Sequence, residues 1–167
     1  PWMKSHHLGD INILVSFALL PALGTFFVAV GAYDPQSLLM ILPIGLLTVS
    51  ILHANNTRDV KTDLQAGLGT ITTSVSLMNA KAIYTFEIFA PYALALLYVV
   101  LLGQPWTLLA VVLTLPLALR NVRTMIQAED DLPYRGIQRL DQTTAQLQMA
   151  FGLLYALGFF LGSWLGV

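Results

Sequence analysis

The sequence contains no cysteine. That excludes a disulfide framework, a thiolate metal site and a cysteine nucleophile. Charge is scarce as well: Asp, Glu, Lys and Arg make up 10% of the 167 residues, against about a quarter in soluble globular domains. Too few charges remain to cover the surface of a water-soluble domain. The formal net charge is −1 and the pI is near 6.3, so there is no global basic footprint and nucleic acid is not an expected partner. No fixed-period repeat, low-complexity tract or soluble domain is visible. The first apolar run has no accompanying n-region and cleavage site, so it does not read as a signal peptide. The chain opens at Pro1 without an initiator methionine, which raises the expectation of a fragment or a processed product. Apolar side chains are abundant: 56% of the sequence is hydrophobic, with a mean hydropathy of +0.72. Disorder needs the opposite composition. An integral membrane protein is the remaining class.

A spanning helix needs roughly 20 mostly apolar residues. Five segments qualify: residues 11–30, 37–55, 82–102, 106–125 and 147–167. The fold expected is all-α, a polytopic membrane helical bundle forming a single membrane domain over residues 1–167. Gly103-Gln104-Pro105 is a breaker triplet between spans three and four. Pro21, Pro43, Pro91 and Pro116 fall inside spans. Membrane helices tolerate such prolines because neighbouring helices and polar side chains satisfy the freed carbonyls. All eight Lys and Arg residues fall on one side of this topology: Lys4, Arg58, Lys61, Lys81, Arg120, Arg123, Arg135 and Arg139. The positive-inside rule places that side in the cytoplasm.

The stretch that carries chemistry runs from Ile51 to Gly67, at the end of span two. Asn55, Asp59 and Asp63 are spaced i, i+4, i+8 and share one face if the helix continues. Asn56 flanks that face. Carboxylates and amides alone make an oxygen-donor site, suited to a hard cation such as Mg²⁺ rather than to zinc. Arg58 and Lys61 stand among the acids, where they can meet residual phosphate charge. A solvated charge stripe at a membrane surface fits the spacing equally well.

The order of residues is more specific than the spacing. The run Asn-Asn-x-Arg-Asp-x-x-x-Asp-x-x-x-Gly, from Asn55 to Gly67, resembles the second aspartate-rich motif of the UbiA superfamily of intramembrane prenyltransferases. Leu8-Gly9-Asp10 is similar to that family's segment ahead of the motif, and Ala66-Gly67 with Thr70 to its continuation. Thr144-Ala145, Gly152-Leu153, Tyr155 and Gly158 resemble the last helix of the branch containing 1,4-dihydroxy-2-naphthoate prenyltransferase and its animal relative, a menaquinone-4 synthase. The family has about nine membrane helices and two aspartate-rich motifs, so this chain looks like the C-terminal half of a UbiA-type fold. The first motif is absent, Leu68 stands where many relatives carry Lys, and Thr143 where an Arg is common.

The resemblance implies Mg²⁺-dependent transfer of a prenyl group from an isoprenyl diphosphate to an aromatic quinone precursor. The acceptor expected is 1,4-dihydroxy-2-naphthoate, in menaquinone or phylloquinone synthesis. It implies Asp59 and Asp63 as catalytic residues and Asn55, Asn56, Asp59 and Asp63 as metal ligands. It implies Asn55, Asn56, Arg58 and Lys4 on the diphosphate side, with Arg58 either a diphosphate or an ion-pair partner. The lipid bilayer and the N-terminal helices of the same domain are the implied partners, and the chain alone is expected to have little activity. The alternatives are another acceptor (4-hydroxybenzoate, homogentisate or haem) and a non-catalytic lipid-binding or interaction subunit. Asp10 reads as a helix cap. His53 reads as an interfacial helix-end histidine. Glu87 pairs with Arg120 or Arg123, orients substrate, or reaches water. Tyr84, Phe89, Tyr92 and Tyr155 read mainly as belt or core packing. Gly152, Gly158, Gly162 and Gly166 suggest close helix packing, within the chain or between chains.

Overall fold

The computed structural model describes residues 9–129 and 134–166, the side chains of Gly9 and Asp10 excepted. The described residues are helical, without strands. The first span is α1 (Gly9–Leu14), a π-helical turn (Val15–Leu19) and α2 (Leu20–Val30). The second is α3 (Pro35–Gln65), followed by the single-turn α4 (Ile71–Ser74). The third is α5 (Leu77–Leu102). A 3₁₀ segment (Trp106–Thr114) runs directly into α6 (Leu115–Ile126) to form the fourth, and α7 (Leu140–Leu165) is the fifth. Five of these stretches are long and apolar enough to cross a bilayer. The protein is an integral, multi-pass membrane bundle.

The helix ends follow local chemistry. Asp34 caps α3 by accepting from the Gln36 amide at 2.9 Å, with Pro35 in the first turn. Thr70 and Thr73 form a reciprocal capping box on α4. Ser76 caps α5, so α5 starts five residues ahead of its apolar stretch. The longest departure from the apolar spans is α3. At 1.5 Å per residue, its 31 residues reach about 46 Å, against a hydrocarbon core of about 30 Å. Its polar last turns therefore project beyond the lipid, and these turns carry the motif. The helix continues there because residues 55–65 hold neither proline nor glycine. Gly67, at φ +65°, then closes it.

The core lies between α3, α5, the 3₁₀ segment and α7. Leu47, Tyr84, Ile88, Leu108, Met125, Leu147 and Phe151 are fully buried there. Pro43 has no N–H, so the Leu39 carbonyl four residues earlier lacks its helical partner. Tyr98 Oη of α5 donates to that carbonyl at 2.6 Å, and Tyr155 Oη of α7 donates to the next one, Met40, at 3.0 Å. The break in α3 thus becomes a tie to two neighbouring helices. Glycines set the α7 contact. A Cβ on Gly158 would stand 2.8 Å from the Thr107 carbonyl oxygen and 2.9 Å from Leu108 Cα. A Cβ on Gly162 would collide with the Pro105 ring. The small residues at 158 and 162 therefore serve packing inside the chain. Gly166 instead ends α7 with φ +71°.

Candidate functional site

Asn55, Asn56, Arg58, Asp59 and Asp63 all lie on the C-terminal turns of α3, each half-buried. The structure joins three of them. Arg58 lays its guanidinium on Asp59 as a fork, Nε to Oδ1 at 2.8 Å and Nη2 to Oδ2 at 2.8 Å. With its amide nitrogen toward Asp59, Asn55 donates to Oδ2 at 3.0 Å and accepts from Arg58 Nη2 at 3.1 Å; the hydrogen-bond network assigns that orientation. Arg58 also donates Nη1 to Asp141 Oδ2 at 2.6 Å, across to the first turn of α7. Arg58 thus pairs with two carboxylates, one on its own helix and one on α7. Asp63 lies one turn beyond Asp59, in the last turn of α3. Lys4, with His6 and His7, lies outside the described residues, as does the side chain of Asp10.

Electrostatics favour a cation at this helix end. The C-terminus of a helix carries partial negative charge and attracts cations. The last turn of α3 has no basic residue but holds Asp63, and Asp59 stands one turn earlier. Two carboxylates placed at the negative end of a macrodipole repel it. Arg58 and Lys61, on the preceding turns, balance them in number but leave the last turn itself without a basic residue. Among the described residues, no group of three or more His, Cys, Asp or Glu converges as a metal cluster. The chain thus supplies an oxygen-donor pair and its amides from a single helix.

Comparison with known proteins fits this arrangement. A family model described as the UbiA prenyltransferase family matches residues 1–135, which include every motif residue on α3. The chain belongs to the UbiA prenyltransferase family. Its relatives include UbiA prenyltransferase domain-containing protein 1 from Xenopus tropicalis, 34% identical over 158 residues, covering 92% of this chain and 42% of the relative. The same-named protein from Gallus gallus is 32% identical over 158 residues, covering 92% and 44%. A Drosophila melanogaster homologue is 33% identical over 154 residues, covering 89% and 39%. The chain therefore spans less than half the length of these curated relatives. Their names specify the UbiA domain and no acceptor, so membership supports the family and does not single out the naphthoate branch.

Within this UbiA-family bundle, two expectations are corrected. His53 is neither at a helix end nor exposed: it is 1% exposed, because α3 continues three turns past it and α5 covers it. Glu87 does not reach water. It is 6% exposed, with Oε2 at 3.5 Å from His53 Nδ1. Arg120 and Arg123 are exposed, and neither makes an ion pair among the described residues. The tyrosines do pack the core: Tyr84 Oη meets Thr144 Oγ1 at 2.6 Å and Tyr92 Oη meets Thr114 Oγ1 at 2.6 Å. Asp141 is the functional neighbour that sequence reading missed. An acid in the first turn of a helix is an ordinary partner for the dipole, so nothing local marked it as the second carboxylate on Arg58.

Proposed function

We propose that this chain contributes the second aspartate-rich half of a site that transfers a prenyl group from an isoprenyl diphosphate to an aromatic acceptor. 1,4-Dihydroxy-2-naphthoate is the acceptor we favour. The observation that carries the reading is the Asn55–Arg58–Asp59 network with Asp63 beyond it, at the projecting end of a membrane helix. An isoprenoid tail partitions into lipid at about 0.8 kcal/mol per buried CH₂, while its diphosphate stays at the interface. A polar cluster at the tip of an apolar helix suits both ends of that molecule.

The donors present fit Mg²⁺: all are oxygen, and two are carboxylates at a helix end whose last turn holds no basic residue. Asp59 and Asp63 would hold the ion with Asn55 and Asn56, leaving other positions for water and substrate phosphate. When bound, the ion would supply charge neutralisation to the leaving diphosphate. The protein's residues do the positioning. Arg58, held between Asp59 and Asp141, fixes the Asp59 carboxylate against α7. In the reaction the allylic C–O bond breaks and its electron pair leaves with the diphosphate. The acceptor's ring carbon forms the new C–C bond, and in the naphthoate case its carboxylate departs as CO₂, returning the electron pair to the ring. Lys4, if it meets the diphosphate, does so from outside the described residues. The N-terminal helices of the same domain would complete the metal shell, and the basic side of the bundle would face the cytoplasm.

One observation favours a second reading, a non-catalytic lipid-binding subunit: both Asp59 oxygens already accept from Arg58. The experiment is Mg²⁺-dependent release of diphosphate from an isoprenyl diphosphate, in membranes where the chain is co-expressed with the N-terminal half of a relative's UbiA domain. Turnover should fall at least about a hundredfold in Asp59→Ala and in Asp63→Ala, the scale expected when charge stabilisation of a leaving group is removed. Turnover that survives both substitutions would falsify the site.

A further inference from the structure

A second polar recess lies at the same end of the bundle, between α6 and α7. It measures about 230 Å³ and is lined by Arg120, Thr124, Gly136, Arg139, Leu140 and Thr143. α6 contributes Arg120 and, four residues on, Thr124; Arg139 stands at the N-cap just ahead of α7, and Thr143 lies in the first turn of that helix. Arg120 and Thr124, four apart, share one face of α6, and Arg139 and Thr143 border the same recess from the start of α7. The backbone builds this approach. Gly136 adopts φ +86°, a left-handed conformation that disfavours side chains. A Cβ there would meet nothing within 4 Å, so the glycine serves the turn that brings Arg139 back beside α6. The threonine hydroxyls are held on backbone carbonyls, Thr124 on Arg120 at 3.0 Å and Thr143 on Leu140 at 3.1 Å. Their short side chains leave the recess open.

Neither Arg120 nor Arg139 makes an ion pair among the described residues. Asp141, the described acid nearest Arg139 in sequence, is taken up by Arg58. Two guanidiniums without an ion pair among the described residues, around a small polar hollow, suit a tetrahedral oxyanion, because the guanidinium fork matches phosphate geometry. Depth decides its source. Arg120 is six residues, about 9 Å, from the end of α6. The interfacial layer of a bilayer is about 5–7 Å thick on each side, and an arginine extends its head toward it. Arg120 stands in the last two turns of the fourth span, from which an extended guanidinium reaches toward the lipid phosphates.

We propose that the α6–α7 recess binds the phosphate of an anionic membrane phospholipid through Arg120 and Arg139. Positive charge flanking the spans accounts for Arg123, which does not line the recess, without any site. That residue supplies the control.

The test is native mass spectrometry of the purified chain in uncharged detergent. The probes are phosphatidylglycerol, phosphatidylcholine and inorganic phosphate. Phosphatidylglycerol should be retained in preference to phosphatidylcholine. Arg120→Gln and Arg139→Gln should each reduce that retention about fivefold, the effect of one basic residue near an anionic surface. Arg123→Gln should leave it within about twofold. The lysine variants Arg120→Lys and Arg139→Lys keep charge and fold but lose the fork, and should fall between. Equal loss in Arg123→Gln would overturn the site in favour of diffuse charge, as would retention unchanged in the double Gln variant. Binding of inorganic phosphate through the same arginines, with no preference for phosphatidylglycerol, would overturn the lipid assignment.

Discussion

Arg58 is the residue on which the candidate site turns. Its guanidinium is shared between a carboxylate on its own helix and one on α7, 83 positions away in sequence. Asn55, Asp59 and Asp63 were legible because a four-residue repeat puts them on one face and their order matches a family motif. Asp141 was not, because no local pattern reports a contact across that separation. The burial of His53 was hidden for a similar reason: it depends on how far α3 continues and on what α5 places over it. In a double-mutant cycle, Arg58→Gln and Asp141→Asn should couple by about 1 kcal/mol, the scale of a partly exposed ion pair. Thermal unfolding in detergent measures it, and additive effects would show that the link does not hold α3 to α7.

At the scale of the element, apolar runs located the spans but not their ends. Hydropathy reports where lipid begins, while helix ends follow caps and breakers. That is why α3 reaches Gln65, well beyond residue 55, and α7 begins at Leu140 rather than 147. The prolines inside spans were readable as tolerated; the groups that satisfy their freed carbonyls were not. Tyr98→Phe should cost about 0.6 kcal/mol, typical of a hydrogen bond between membrane helices. That cost should shrink in a Pro43→Ala background, where a restored N–H reaches the Leu39 carbonyl. An undiminished cost would show that Tyr98 acts through packing alone. The glycines of α7 divide in the same way. Gly158→Ala should destabilise by about 1–3 kcal/mol, as overpacking against backbone does. Gly152→Ala meets only the end of Ile44 at 3.6 Å and should be near neutral. Thermal midpoints of the two variants compare them, and equal shifts would contradict internal packing at Gly158.

Across the whole molecule, composition and five apolar runs of helix-spanning length were enough to read an all-helical membrane bundle, because such a run satisfies its backbone in lipid as a helix. The relative placement of spans was not readable. Within the bundle, the first span is 6% buried, against 28–39% for the other four. An apolar cleft of about 990 Å³ lies between α2, α3 and α7, with Met40, Ile44, Tyr155 and Phe159 among its walls. Such contacts depend on apolar surfaces without distinctive sequence. The most direct measurement of the central claim is equilibrium binding of an isoprenyl diphosphate to the chain co-purified with the N-terminal half of a relative's UbiA domain, with Mg²⁺ and with EDTA. Mg²⁺ should tighten binding at least about tenfold, or 1.4 kcal/mol, and the gain should vanish in Asp59→Asn and in Asp63→Asn. Equal affinity in Mg²⁺ and EDTA, or an Mg²⁺ gain that survives both substitutions, would contradict a metal-assisted diphosphate site at the end of α3.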